Sequence, residues 1–140
     1  MYEYKRSVYY YETDSMGVVH HSNYVRWMEE ARIAYYAQIG MPYEVTESLG
    51  IFSPVTGVSL QHKSFARFGE HFAVRVRMTK YSGVRYTISY RIVNQDGVLL
   101  AQAQSEHAFV SKDFRPVTLS KAAPHLHESM KQYIEPDFAP

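Results

Sequence analysis

Tyr11-Glu12-Thr13-Asp14-Ser15-Met16-Gly17-Val18-Val19-His20-His21-Ser22-Asn23-Tyr24 passes from a polar loop straight into an amphipathic stretch, and the rest of the chain is organised around that junction. Downstream, Tyr24, Trp27, Met28, Ala31, Ala34, Tyr35 and Ile39 recur at spacings of three and four, with Arg26, Glu29, Glu30, Arg32 and Gln38 mostly opposite. That pattern is a one-sided helix. Ser22 and Asn23 are both good N-caps, and Glu29 and Glu30 favour the positive end of the dipole, so a start at about residue 22 is predicted. Gly40 followed by Met41-Pro42 ends it, because a glycine past the last turn accepts the left-handed conformation and proline cannot continue a helix. The helix has about four to five turns. Its apolar stripe needs a cover.

The rest of the chain supplies one. An opening strand is predicted near Tyr4 to Tyr11 and a short helix near Tyr43 to Leu49. Then the period changes to two. Phe72, Val74, Val76 and Met78 alternate with Ala73, Arg75, Arg77 and Thr79, and Val84, Tyr86, Ile88, Tyr90 and Ile92 alternate with Arg85, Thr87, Ser89, Arg91 and Val93. Tyr81-Ser82-Gly83 and Asn94-Gln95-Asp96-Gly97 are turn signals for adjoining hairpins. A last long strand, about Val98 to Ser111, carries Ala101, Ala103, Ser105, His107 and Phe109 on one face, with His107 read as a hydrogen-bonded structural histidine. A terminal helix is predicted over about 120–133, and a frayed tail over 136–140. One helix on about five strands makes a two-layer α+β domain over residues 1–140. The basic outer face with Arg75, Arg77, Arg85 and Arg91 reads either as a contact between subunits or as a solvated surface.

The loop before the helix carries chemistry. Gly17 lies just ahead of the first turn, where a backbone N–H stabilises charge developing on a carbonyl oxygen. Asp14 is placed to activate water or to attack directly, and His21 to hold substrate or shuttle a proton. The same residues also read without chemistry: Asp14 as the brace of an Asx turn, Gly17 as a positive-φ residue, and His20 and His21 as polar loop residues.

Three further stretches follow in order: Gln61-His62-Lys63-Ser64-Phe65-Ala66-Arg67-Phe68-Gly69-Glu70, Tyr81-Ser82-Gly83, and Ala101-Gln102-Ala103-Gln104-Ser105-Glu106-His107-Ala108-Phe109-Val110. With the Asp14 stretch they resemble the motif series of the hotdog-fold thioesterases. The similarity is to the 4-hydroxybenzoyl-CoA thioesterase family and the related Tol-Pal-cluster acyl-CoA thioesterases, and it runs from about Tyr4 to Tyr133. Phe65 departs from it, standing where the family usually has proline. The resemblance implies a hotdog fold, an antiparallel five- to six-stranded sheet wrapped around one long central helix. It implies hydrolysis of an acyl-CoA, or of an acyl carrier protein thioester, to free acid and thiol. In that scheme the Gly17 N–H polarises the carbonyl, and Asp14 acts as general base or as a nucleophile forming a mixed anhydride. His21 contacts the thioester or acyl group. Val19, His20, Tyr24, Trp27 and Met28 line the acyl pocket, and Lys63, Arg67, Lys80 and Arg85 meet the nucleotide phosphates. Those four cations read equally well as ordinary surface charges. No metal and no cofactor is implied, CoA being part of the substrate. Relatives build each site between two subunits, so a homodimer is expected, often paired into a homotetramer.

Composition narrows the rest. The 140 residues carry a formal charge of +1 and no cysteine, which argues against a general nucleic-acid or membrane-surface binder and removes thiol catalysis and disulfides. The N-terminal Met1-Tyr2-Glu3-Tyr4-Lys5-Arg6 lacks a signal-peptide core, and a cytoplasmic protein is expected. Two rivals stand beside the hydrolase. A dehydratase on the same fold needs a carboxylate partner on the central helix, where only Glu29 and Glu30 are available, on the polar side. A non-catalytic acyl-CoA sensor would normally carry a DNA-binding segment, and none is visible.

Overall fold

Five antiparallel strands, β1 (Tyr2–Ser7), β2 (Val55–His62), β3 (His71–Tyr81), β4 (Arg85–Asn94) and β5 (Leu99–Ala108), form one sheet in the order β1-β3-β4-β5-β2. They come from a computed structural model that describes the whole chain, Met1–Pro140. Helix α1 (Ser22–Gln38) lies along the inner face, with α2 (Tyr43–Ser48) after it and α3 (Leu119–Ala122) and α4 (Pro124–Gln132) near the C-terminus. This is the α+β arrangement that the resemblance implies. No helix is long and apolar enough to cross a membrane.

The periodicities explain the packing. Trp27, Met28, Ala31 and Tyr35 of α1 are buried against Phe72, Val74, Val76 and Met78 of β3 and Ile88, Tyr90 and Ile92 of β4. The register pairs Val74 with Ile92, Val76 with Tyr90 and Met78 with Ile88, so the apolar positions share one face. Trp27 stacks on Phe72 at 3.9 Å between ring centroids. Each large side chain so buried contributes about 1.5–3 kcal/mol, which makes this face the main source of stability.

Helix α1 starts at Ser22 as its spacing predicts, but neither predicted residue caps it. His21 holds the cap position in helical conformation without a side-chain bond. The His20 ring Nδ1 instead accepts the Ser22 N–H at 3.3 Å. The Asn23 side chain is committed elsewhere, donating to the Glu12 carbonyl at 2.9 Å. At the other end Gly40 has φ +79°, and the Met41 N–H returns to the Tyr36 carbonyl at 2.7 Å.

Two elements differ from expectation. The first strand stops at Ser7 and yields to a tight 3₁₀ turn over Tyr10–Glu12, because Glu12 turns inward to Arg6 and Trp27. The terminal helix is broken in two: Ala123, which precedes proline, is extended at φ −152° and ψ 77°, and Pro124 opens a new helix.

The tail over 136–140 is docked, not frayed. The Glu135 N–H donates to the Met78 carbonyl at 2.9 Å, Arg77 donates to the Pro136 carbonyl at 3.2 Å and Arg91 to the Ala139 carbonyl at 3.0 Å. Phe138 lies under both guanidinium groups, at 4.4 and 5.2 Å. Arg77 and Arg91 thus hold the chain's own C-terminal segment, while Arg75 pairs with Glu3, and Ser89 beneath the segment is only 2% exposed. Ending the chain at Glu135 is expected to lower stability by about 1.5–3 kcal/mol, the worth of one bond to a charged donor. The urea midpoint at constant m-value measures this; an unchanged midpoint would show that the strap contributes nothing.

Candidate active site

Between β1 and α1 the chain makes a small hairpin over residues 13–19. The Asp14 N–H donates to the Val18 carbonyl at 2.8 Å and the Gly17 N–H to the Asp14 carbonyl at 3.0 Å. Thr13 pairs with Val19, and Val18 pairs with Arg67 in the segment after β2. Gly17 closes the turn at φ +79°, a conformation L side chains rarely adopt. Asp14 Oδ1 accepts the Met16 N–H at 2.8 Å. The Asx turn and the positive-φ glycine are therefore both real, and they orient the carboxylate. Oδ2 has no partner within the chain, so one oxygen is held and the other is available for chemistry.

The Gly17 N–H expected to polarise a carbonyl is already donated to Asp14. The His21 N–H, at the positive end of α1, makes no bond within the chain and is a free donor where the hairpin meets the helix.

The histidines gather here. His20 and His21 stack with ring centroids 4.2 Å apart. His62, at the end of β2, meets the Tyr24 ring edge-on at 4.8 Å. Burial, and next the charge of His21, push His62 below its ordinary value, so it stays neutral at neutral pH. His62 is the residue that sequence reasoning passed over; its place within the Gln61–Glu70 block was the available signal.

The pocket-lining residues divide. His20 is exposed beside the hairpin, but Val19, Tyr24, Trp27 and Met28 are at most 3% exposed and belong to the core. Their spacing marks the buried stripe of α1, and that stripe is used against the sheet. The Tyr24 hydroxyl accepts the Ala66 N–H at 3.3 Å and so tethers the segment after β2 to the helix. Burial raises its pKa, keeping the hydroxyl protonated.

The four cations separate as well. Lys63 and Arg67 follow β2 at the site. Lys80 and Arg85 flank the β3–β4 turn, where Arg85 pairs with Ala108, while His62 pairs with Ala101. Seven residues of strand at about 3.3 Å each put them more than 20 Å from the Asp14 hairpin of the same chain. The hairpin itself stands on open surface, with Tyr10, Tyr11, Met16, Phe65 and Phe68 exposed around it. The larger clefts lie elsewhere, the widest on the outer sheet face beside Arg91 and Asp137.

The family model of the thioesterase-like superfamily matches residues 8–132. The presumed acyl-CoA thioesterase YneP of Bacillus subtilis is 36% identical over 126 residues, covering 89% of this chain and 91% of that protein. The acyl-CoA thioester hydrolase YbgC of Escherichia coli is 27% identical over 69% of this chain and 72% of its own. Among solved structures, a DHNA-CoA thioesterase from Staphylococcus aureus superposes with a TM-score of 0.88 at 34% identity, covering 93% of this chain and 88% of that one.

Proposed function

The chain belongs to the thioesterase-like superfamily, and from that membership we propose that it hydrolyses acyl-CoA at the Asp14 hairpin. It is a hotdog-fold hydrolase of CoA thioesters. In the reaction the carbonyl carbon gains an oxygen from water, the C–S bond breaks, and the CoA thiolate leaves and takes up a proton. Asp14 Oδ2 acts as general base for that water, or attacks first to form an anhydride that water then opens. The carbonyl oxygen is received by the free His21 N–H at the helix start, which replaces Gly17 in that part. The His21 and His62 rings flank the thioester. The carrying observation is a loop carboxylate with one oxygen pinned by Met16, the other free, and an unused backbone donor at the adjacent helix end. The dehydratase reading is weakened by Glu30, whose carboxylate is bound to Arg6 and Tyr4.

The acting unit we propose is a homodimer through β2. That strand is a bare sheet edge with Val55 and Val58 exposed, the kind of edge that is closed by pairing across a two-fold axis. Antiparallel pairing of β2 with its copy brings the Lys80–Arg85 end of one subunit toward the His62–Arg67 end of the other. All four cations then surround one site, ready for the phosphates of CoA. The docked tail covers the Arg77–Arg91 part of the outer face, so a tetramer contact there would include the tail or use the rest of that face. Val58→Lys, placing like charges at the edge, is expected to move the protein to monomer mass in gel filtration and abolish turnover. A fully active monomer would refute the shared site.

The test of the activity is thiol release from a panel of acyl-CoAs, headed by 1,4-dihydroxy-2-naphthoyl-CoA because of the S. aureus relative and including short and long acyl chains. Free CoA must appear with at least one member. Conversion with the thioester intact would indicate a dehydratase, and tight binding without release an acyl-CoA sensor.

A further inference from the structure

We propose that Glu12 is a positioning residue of the reaction, holding the Asp14 hairpin against the start of α1. The inference rests on the assignment of Asp14 above. Glu12 is the one buried carboxylate of the chain, 3% exposed. Its side chain collects donors from three directions. Oε1 accepts from the Arg6 guanidinium on β1 and from the Tyr9 N–H at 2.8 Å, and Oε2 accepts the Trp27 indole N–H on α1 at 2.8 Å. Its carbonyl oxygen receives the His20 N–H at 2.8 Å and the Asn23 side chain at 2.9 Å.

Both ends of the hairpin therefore meet at one residue. The chain leaves Glu12 into Thr13 and, seven residues on, returns to it through His20. Asp14 has no comparable anchor, since its own side-chain bond is local, to Met16. Where the carboxylate lies relative to the His21 N–H is thus set by how Glu12 is held between β1 and α1, together with the pairing of Val18 and Val19 to the segment after β2. Arg6 is braced in turn, with Glu30 on its other face at 2.9 and 3.0 Å and the Tyr9 ring at 3.9 Å.

The charge matters as well as the shape. A carboxylate accepts on both oxygens, whereas an amide has one acceptor and one donor end. In Glu12→Gln the NH2 group must face a donor, the indole or the guanidinium, whichever way the amide is turned. The side chain is isosteric, so the core keeps its volume while the anchor shifts. Displacements of about 1 Å cost on the order of a hundredfold in turnover.

The test compares Glu12→Gln with Asp14→Asn in the full-length protein, on a substrate the native enzyme turns over. Glu12→Gln is expected to lower kcat by about ten- to a hundredfold with KM within about threefold. The backbone amides of Asp14 and Gly17 should exchange hydrogen faster while those of β3 to β5 do not change. Should Glu12→Gln fail to fold, the double variant Arg6→Met with Glu12→Met replaces the whole buried pair by apolar side chains, an exchange proteins often tolerate. It is expected to fold and show the same loss of kcat. A Glu12 variant with kcat within about threefold of native, beside an inactive Asp14→Asn, would overturn the positioning role and leave Asp14 standing. Activity retained in Asp14→Asn would remove the assignment and this inference together.

Discussion

Asp14→Asn is expected to lower kcat for thiol release by at least about a hundredfold, within the range general-base help supplies, while the melting temperature stays close to native. Asparagine keeps an oxygen that can accept the Met16 N–H, so the Asx turn that shapes the hairpin survives. The Asp14–Val18 and Gly17–Asp14 backbone bonds do not involve the side chain at all. What the variant loses is the charge on the free oxygen, and with it the ability to take a proton from water or to attack carbon. Because Asp14 does not hold the acyl group or the nucleotide, KM should change little; the loss belongs to a step made only in the transition state. A fall of less than about tenfold on the same substrate would count against Asp14 as the catalytic group. Single turnover in heavy-oxygen water then separates the two roles. Label incorporated into the Asp14 peptide marks an anhydride opened at the Asp14 carbonyl; where the label is in the released acid alone, an acyl-Asp14 adduct caught by rapid quench marks the anhydride and its absence marks general-base attack.

What could be read in advance followed periodicity. The α1 span, its glycine stop, the β3–β4 and β4–β5 hairpins and the inward face of β5 all repeat locally, and local repetition is legible. The edge strand β2 carries little periodic signal. Its outward residues Ser59 and Gln61 and its inward residues Val58 and Leu60 alternate for only a few positions, and a glycine lies in a bulged register near Val55. The docked tail was illegible for a different reason. Pro136, Phe138 and Pro140 alternate over too few positions, two of them prolines, to signal an element, and only the two arginines of the distant strands reveal what they rest on.

The candidate site was legible as a segment and not as a set of contacts. Asp14 and His21 lie together because they are near in sequence. The Gly17 N–H faced inward because the same turn that requires a positive φ also consumes the donor. The resemblance puts Trp27 and Met28 in a pocket wall, and a helix stripe looks alike whether it faces a ligand or a sheet. Lys80 and Arg85 were grouped with Lys63 and Arg67 by charge, and strand register separates them within one chain.

Stability should fall steeply in mild acid because of one inner-face histidine. His107 is 1% exposed, stacked on Tyr86 at 4.7 Å, and ends a line of bonds: Arg32 donates to the Tyr90 hydroxyl at 3.2 Å, Tyr90 meets Ser105 at 2.6 Å, and Ser105 meets His107 Nε2 at 2.7 Å. With Arg32 fixing the direction, each hydroxyl passes its proton onward and Nε2 accepts. A protonated ring would donate at Nε2, so the Ser105 proton would lose its acceptor and a second positive charge would be buried near Arg32. Burial first, and then the Arg32 charge, hold the His107 pKa at about 3, with the Ser53 backbone pulling weakly the other way. The unfolded chain takes up this proton near pH 6.5. Above that neither state is protonated and the term vanishes; as pH falls below it the unfolded state binds a proton that the native state refuses. Native stability should therefore drop by about 1.4 kcal/mol per pH unit, or about 3 kcal/mol by pH 4.5, and level off only near pH 3. Urea titrations of the native chain and of His107→Gln over pH 7.5 to 4.5 measure it. Glutamine still offers Ser105 an acceptor, and it does not titrate. The variant should be less stable at pH 7.5 yet flatter in acid, the difference in slope approaching about 1.4 kcal/mol per pH unit. Parallel curves for the two proteins would mean that His107 can be protonated within the fold.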